Sequence, residues 1–195
     1  NTTTLVTEAK KVLEAAGYEV LVFAATGTGG RIMESVIESG IVSGVLDVTT
    51  TEWADELVGG NLNAGPERMD AAAKANIPVV VAPGCLDMVN FGEKASVPAK
   101  FAGRNFYIHN PQITLMRTTA AECAELGRIV AEKTNAYTAG AVIMLPTKAI
   151  SVISALFALV SFAMVTGMGA SRISSGVMPG SGSWFAAVAH RPAGA

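Results

Sequence analysis

The residues of this chain that could do chemistry cluster where polar side chains follow short apolar runs. The first cluster is Thr26-Gly-Thr-Gly-Gly-Arg31, which follows an apolar run and precedes a helical pattern. A strand, a glycine turn and a helix in that order aim a helix N-terminus at whatever lies above the turn. Free N–H groups and the positive end of the helix dipole meet there, so an anion is welcome. Gly27, Gly29 and Gly30 let backbone approach a ligand closely. Thr26 and Thr28 add hydroxyls, and Arg31 adds a cation in the first helical turn. One reading is a phosphate or carboxylate cradle; the other is a tight turn that takes glycine for geometry alone. Ile32 stands at the third glycine position of the dinucleotide fingerprint, and no Gly-Lys-Ser/Thr ending makes a phosphate loop.

Other candidates follow later apolar runs. Glu52 is spaced from Thr49 as a capping box and is also a candidate acid–base group. Thr50 shares that loop as a ligand contact. Gly84 and Asp87 lie in Pro83-Gly-Cys-Leu-Asp87, where the carboxylate suits Mg²⁺, a ribose hydroxyl or an Asx turn. Asn90 could orient a ligand phosphate or amide. His109 is an acid–base group, a ligand donor or a structural histidine. Arg117 is a second anion contact or a partner for the loop around residues 49–52. Cys85 and Cys123 lack metal spacing and read as buried thiols in a reducing cytoplasm. No nucleophile–base–orienter set is legible, and Gly180-Ser-Gly-Ser-Trp184 lacks the preceding strand that a nucleophile turn needs.

The elements that must position these groups alternate. Apolar spacing predicts a helix over residues 2–16, a strand over 18–25 and a helix over 30–39. A strand over 42–48 follows, then a short helix from Thr49 through Val58. A helix over 64–75 with Pro66 near its first turn, a strand over 77–82 and a strand over 106–109 come next. A helix over 118–133 and a strand over 142–145 complete the pattern. Alternation of this kind predicts an α/β fold: a Rossmann-like three-layer domain, with a mostly parallel sheet and helices on both faces. Ligands of such sheets bind beyond the carboxyl ends of the strands. Segments 26–31, 49–52, 83–90 and 109–118 are therefore expected on one edge.

Composition narrows the function classes. A chain of 195 residues with half its residues hydrophobic and 15% charged has room for one full core. A net charge of −2, without basic clusters or aromatic–basic interleaving, argues against nucleic acid as a partner. Two histidines make a histidine-based metal site a poor expectation.

Five segments carry a family resemblance. They are Ala25-Thr-Gly-Thr-Gly-Gly-Arg31, the stretch from Gly44 to Gly60, Ala64-Gly-Pro-Glu-Arg68, the stretch from Pro83 to Gly92, and His109 through Thr119. In this order the chain resembles an uncharacterised protein family of bacteria, fungi and plants. That family includes the tomato mosaic virus resistance protein, whose matching region is described as an ATP-binding domain. The resemblance covers about residues 1–151 and implies the second of two α/β subdomains, truncated at its N-terminus. It implies ATP, with Mg²⁺, as the ligand, and a homodimer or pairing with a first subdomain. Family members often carry His where this chain has Ala24, which removes a potential ligand contact.

The tail departs from this pattern. Every acidic residue lies at or before Glu132, and no charge falls between Lys148 and Arg172. The run is long enough to span a membrane, which takes about 20 apolar residues. The run reads as a genuine apolar segment, a membrane anchor or an altered reading frame after about Ser154, and the absence of acids with the abrupt loss of the family pattern favours the last. The chain is thus expected to comprise an α/β subdomain over 1–150 and an atypical apolar tail over 151–195. Its expected role is nucleotide or phosphate-ligand binding in the cytoplasm. The alternatives are an enzyme acting on a small anionic metabolite, and an interaction subdomain without a complete site.

Overall fold

The computed structural model describes residues 2–146, 151, 153, 173–176 and 185–190. Helix α1 (Thr2–Ala15) turns Val6 inward and leads into strand β1 (Glu19–Ala24). The glycine turn and α2 (Thr28–Glu38) follow, then β2 (Gly44–Asp47), α3 (Glu52–Val58), a single helical turn α4 (Ala71–Lys74) and β3 (Val79–Val81). Beyond these come β4 (Met88–Phe91), two 3₁₀ turns, β5 (Phe106–Asn110), β6 (Ile113–Arg117) and α5 (Ala120–Asn135). Strands β7 (Ala141–Pro146), β8 (Ile173–Gly176) and β9 (Phe185–His190) complete the described elements.

The main sheet has the order β1-β9-β2-β3-β7-β8. β2, β3, β7 and β8 pair in parallel, whereas β9 is antiparallel to both β1 and β2. β1 therefore runs in the same direction as β2. Alternation along the strands sorts the side chains between two faces. Val45, Val79, Val81 and Ile143 join Met33, Ile37, Trp53, Leu126 and Val130 in the larger core. Leu46, Val48, Ala82 and Met144 face Leu5 and Val6 of α1 on the other side. The fold is thus mixed α/β, with a parallel β2-β3-β7 centre between helices.

Three expectations change. Residues 106–109 do not join the parallel sheet; they form part of β5 in a separate antiparallel sheet of order β4-β6-β5. A parallel neighbour needs a crossover of a dozen residues or so, but here Asn110 Oδ1 accepts from Gln112 N at 2.9 Å and the chain doubles back at once. The segment 109–118 is consequently a hairpin rather than a loop at the sheet edge, and β4 forms from the end of the 83–90 segment.

The second change is that the helix expected over 64–75 shrinks to Ala71–Lys74. Tertiary partners take the groups a helix would use. Lys133 Nζ donates to Pro66 O, Tyr137 Oη donates to Met69 O, and Met69 N and Ala71 N donate to Glu34. Thirdly, the Thr49–Glu52 capping box does not form. The N-cap position of α3 is Thr51, with no side-chain cap bond, and Thr49 Oγ1 instead donates to Thr2 Oγ1 at 2.9 Å.

Of the atypical tail, β8 and β9 belong to the main sheet. Most of the apolar run and Gly180-Ser-Gly-Ser-Trp184 lie outside the described residues. Among the described residues no helix is long and apolar enough to cross a membrane.

Candidate functional site

The turns after β1, β2 and β3 emerge on one edge, as parallel strands require, and two of them are tied directly: Thr50 N donates to Gly84 O at 3.2 Å. Below this edge lies a buried charge network. Glu52, at the start of α3, points back beneath the glycine turn. Its Oε1 accepts from Gly27 N at 2.6 Å and Gly30 N at 3.2 Å. Its Oε2 accepts from Arg68 Nε at 2.7 Å. The inner N–H groups of the α2 terminus thus already hold an anion, supplied by the chain itself.

Arg68 is the centre of this network and is 2% exposed. Its guanidinium donates twice to Asp47, at 2.7 and 2.9 Å, and at 3.2 Å to Glu34 Oε1. The fork geometry of arginine suits this bidentate contact. Burial alone would lower the Arg68 pKa, but Asp47, Glu52 and Glu34 together hold it well above its ordinary value. Burial pushes the Glu52 carboxyl up, against the pull of Arg68 and the Gly27 N–H. Three carboxylates share one guanidinium, so the backbone donors of Gly27, Gly30, Met69 and Ala71 carry the remaining stabilisation.

The glycines have an internal reason to be glycine. A Cβ on Gly27 would run into Asn63 O, one on Gly29 into Ala24 O, and one on Gly30 into the Glu52 carboxylate. Gly27 also adopts φ +78°. Outside this lock stand the exposed Thr26, Thr28 and Arg31, with half-buried Gly29 between them. Arg31 Nη1 donates to Asn63 O at 2.8 Å, and its Nη2 lies 3.4 Å from Thr28 Oγ1. The hydroxyl and the guanidinium therefore sit side by side at the rim.

Another buried carboxylate, Asp55, pairs with no cation among the described residues. It accepts from Asn90 N at 2.9 Å, Asn90 Nδ2 at 2.6 Å and Leu62 N at 3.4 Å. Burial pushes its pKa up to about 7 despite these bonds. Asn90 is thereby committed to Asp55, with a longer contact from its Nδ2 to Thr51 Oγ1.

Asp87 and Arg117 do come together. Arg117 Nη1 donates to Asp87 Oδ2 at 2.6 Å, and Ser151 Oγ donates to the same oxygen at 2.8 Å. Among the described residues, no three or more His, Cys, Asp or Glu side chains gather as a metal site. Thr50 is buried, and its Oγ1 has no hydrogen-bond partner among the described residues. Gly84 is buried beside Val48 O. His109 is not brought to this edge; it is exposed on β5 of the small sheet. Burial raises the pKa of both cysteine thiols, consistent with packing roles.

Sequence reasoning about the site missed Asp47, Glu34, Asp55 and the central position of Arg68. The available signal was an arginine in Gly65-Pro-Glu-Arg68 flanked by a turn, with acids in the three preceding elements.

Comparison with known proteins now gives this geometry a context. Residues 1–160 match the family model of the uncharacterised protein family UPF0261, C-terminal domain, and the chain belongs to that family. A UPF0261 protein of Clostridium tetani is 56% identical over 154 residues, covering 79% of this chain and 38% of that protein. The ToMV resistance protein Tm-1(GCR237) of Solanum lycopersicum is 45% identical over 154 residues, covering 79% and 20%. A UPF0261 protein of Rhizobium meliloti is 47% identical over 136 residues, covering 70% and 34%. The chain spans between a fifth and two fifths of the length of these relatives.

Proposed function

We propose that this domain binds a small anionic ligand, of which an ATP-like nucleotide is the leading case, at the rim of a Rossmann-like sheet edge. The observation that carries the reading is the division of labour at the glycine turn. Glu52 fills the inner half and fixes the loop, which presents Thr26, Thr28, the Gly29 backbone and Arg31 together at the surface. Hydroxyl donors beside a guanidinium form a site suited to phosphate oxygens. The fit to a nucleotide is at the rim alone, because the Gly27 and Gly30 N–H groups face Glu52. Bound ATP would supply the phosphates that these residues orient. Magnesium would arrive with the nucleotide, since Asp87 Oδ2 is already held by Arg117 and Ser151.

The enzyme reading draws less support. Glu52 has both oxygens engaged below the surface, and His109 stands on the small sheet away from the edge. The interaction reading has one specific observation behind it. An apolar groove of about 710 Å³ runs along the α1 face, lined by Val12, Leu13, Val80 and Val142.

Calorimetric titration with ATP, with and without Mg²⁺, tests the proposal. Saturable binding weakened about tenfold by Arg31→Ala is expected for loss of one charge-assisted phosphate contact. No binding of ATP, ADP or inorganic phosphate would overturn it and leave the interaction reading in its place.

A further inference from the structure

The small sheet has a property unrelated to the glycine turn. β5 is its outer strand: β6 pairs along one side, and no strand pairs along the other among the described residues. Arg117 N donates to Asn105 O, and Tyr107 lies opposite Leu115. In an antiparallel ladder this register turns the backbone of Tyr107 toward β6. The N–H and C=O groups of Phe106 and Ile108 then point to the open side.

Open edges are ordinarily blunted by charged side chains, proline or an early bulge. β5 reads Phe-Tyr-Ile-His-Asn, with its irregularity only near the far end, between Ile108 and Asn110. Tyr107 is 43% exposed and Ile108 51%. Apolar side chains therefore stand on both faces of an unpaired edge.

Charge at this lobe is mostly positive. From Glu93 to Glu122 the sequence contains the bases Lys94, Lys100, Arg104 and Arg117 against the acids Glu93 and Glu122. Arg117 pairs with Asp87, and Arg104 pairs with Glu122. Exposed Lys94 and Lys100 have no carboxylate partner among the described residues. Lys94 Nζ instead lies over the Phe106 ring, 2.9 Å from its centroid, and Lys100 Nζ lies over Phe101 at 4.7 Å. One cation without an ion-pair partner among the described residues thus sits over the first residue of the open strand, and another lies close by in sequence.

We infer that the β5 edge is a docking site for an extended polypeptide strand rich in acidic and apolar residues, which pairs with the Phe106 and Ile108 backbone. This is strand addition, in which main-chain bonds give affinity and alternating side chains give selectivity. Acidic residues of the incoming strand meet Lys94 and Lys100, and apolar ones cover Tyr107 and Ile108. A second copy pairing edge to edge would bring like charges together, so a foreign acidic strand is favoured. Single-stranded nucleic acid would satisfy the cations but leave the strand edge unpaired.

The test uses the full chain and a fluorescein-labelled hexapeptide alternating glutamate and valine, read by anisotropy. Ile108→Pro removes an outward N–H and spares the β6 ladder, a placement that proline tolerates. It should weaken binding about tenfold while circular dichroism is unchanged. Lys94→Glu with Lys100→Glu should weaken it comparably, and bound peptide should slow amide exchange at Phe106 and Ile108. Equal binding of a lysine–valine hexapeptide, or indifference to Ile108→Pro, would overturn the inference. So would competition by oligo-dT, or self-association of the peptide-free chain that Ile108→Pro abolishes.

Discussion

Two stretches of this chain share one pattern and put it to opposite uses. Thr119-Ala-Ala-Glu122 closes the start of α5 as a full capping box: Glu122 N donates to Thr119 Oγ1 at 3.1 Å, and Thr119 N donates to Glu122 Oε2 at 2.7 Å. Thr49-Thr-Thr-Glu52 has the same spacing, yet Glu52 turns away from its own helix to hold Gly27, Gly30 and Arg68. Each glutamate also meets an arginine: Arg104 with Glu122 at the surface, Arg68 with Glu52 in the interior. Local pattern sets what a side chain can do. Burial and the supply of stronger partners decide what it does.

The difference is sharpest in stability. Arg68→Met should cost about 3–5 kcal/mol in urea unfolding, because it strands buried carboxylates. Arg104→Met should cost about 1 kcal/mol or less, since its pair is partly solvated. A loss in Arg104→Met as large as in Arg68→Met would break the contrast. Glu52→Gln should cost about 2–3 kcal/mol, as it turns an amide N–H₂ toward the Arg68 donor or the glycine N–H groups. Thr119→Ala should cost about 1 kcal/mol through the lost cap. Thr49→Ala should cost less, about 0.5 kcal/mol, because its hydroxyl caps no helix.

The same contrast has opposite signs with pH. Arg104 and the Thr119 N–H outweigh partial burial and lower the Glu122 pKa in the folded state. Glu122 therefore stabilises the fold above its unfolded pKa, and that share is lost as pH falls. Burial raises the pKa of Glu52, and that of Asp55 to about 7 from its ordinary value of 3.8. Their favourable share is present at low pH and is lost as pH rises, for Asp55 between about 4 and 7. Asp55→Asn should flatten the fall in stability over that window in urea titrations, because the Asn90 amide can flip to pair with it. An unchanged slope in that variant would count against a proton on Asp55.

Legibility in the sequence followed this division between local and distant causes. The strand–turn–helix order around residues 18–39 and the periodicity of α5 are local, and both were readable. The five motif segments were enough to suggest the family. Arg68 was not readable as a keystone, since its partners lie 16, 21 and 34 residues away and pairing at that range leaves no periodic trace. The pattern over 106–109 encodes a strand but not its sheet, because alternation does not specify the neighbour. The residues before α4 looked helical until tertiary partners claimed their backbone. The cradle reading places an external anion at the α2 terminus. It did not anticipate that Glu52 would supply one.

Amide hydrogen exchange at Gly27 and Gly30 bears most directly on that last point. With no ligand added, the account predicts slow exchange at both N–H groups in the natural sequence and fast exchange in Glu52→Ala, with ATP leaving the natural-sequence values unchanged. Fast exchange at both glycines without ligand, slowed only when nucleotide is added, would show that the cradle is an open ligand site and that Glu52 does not hold it.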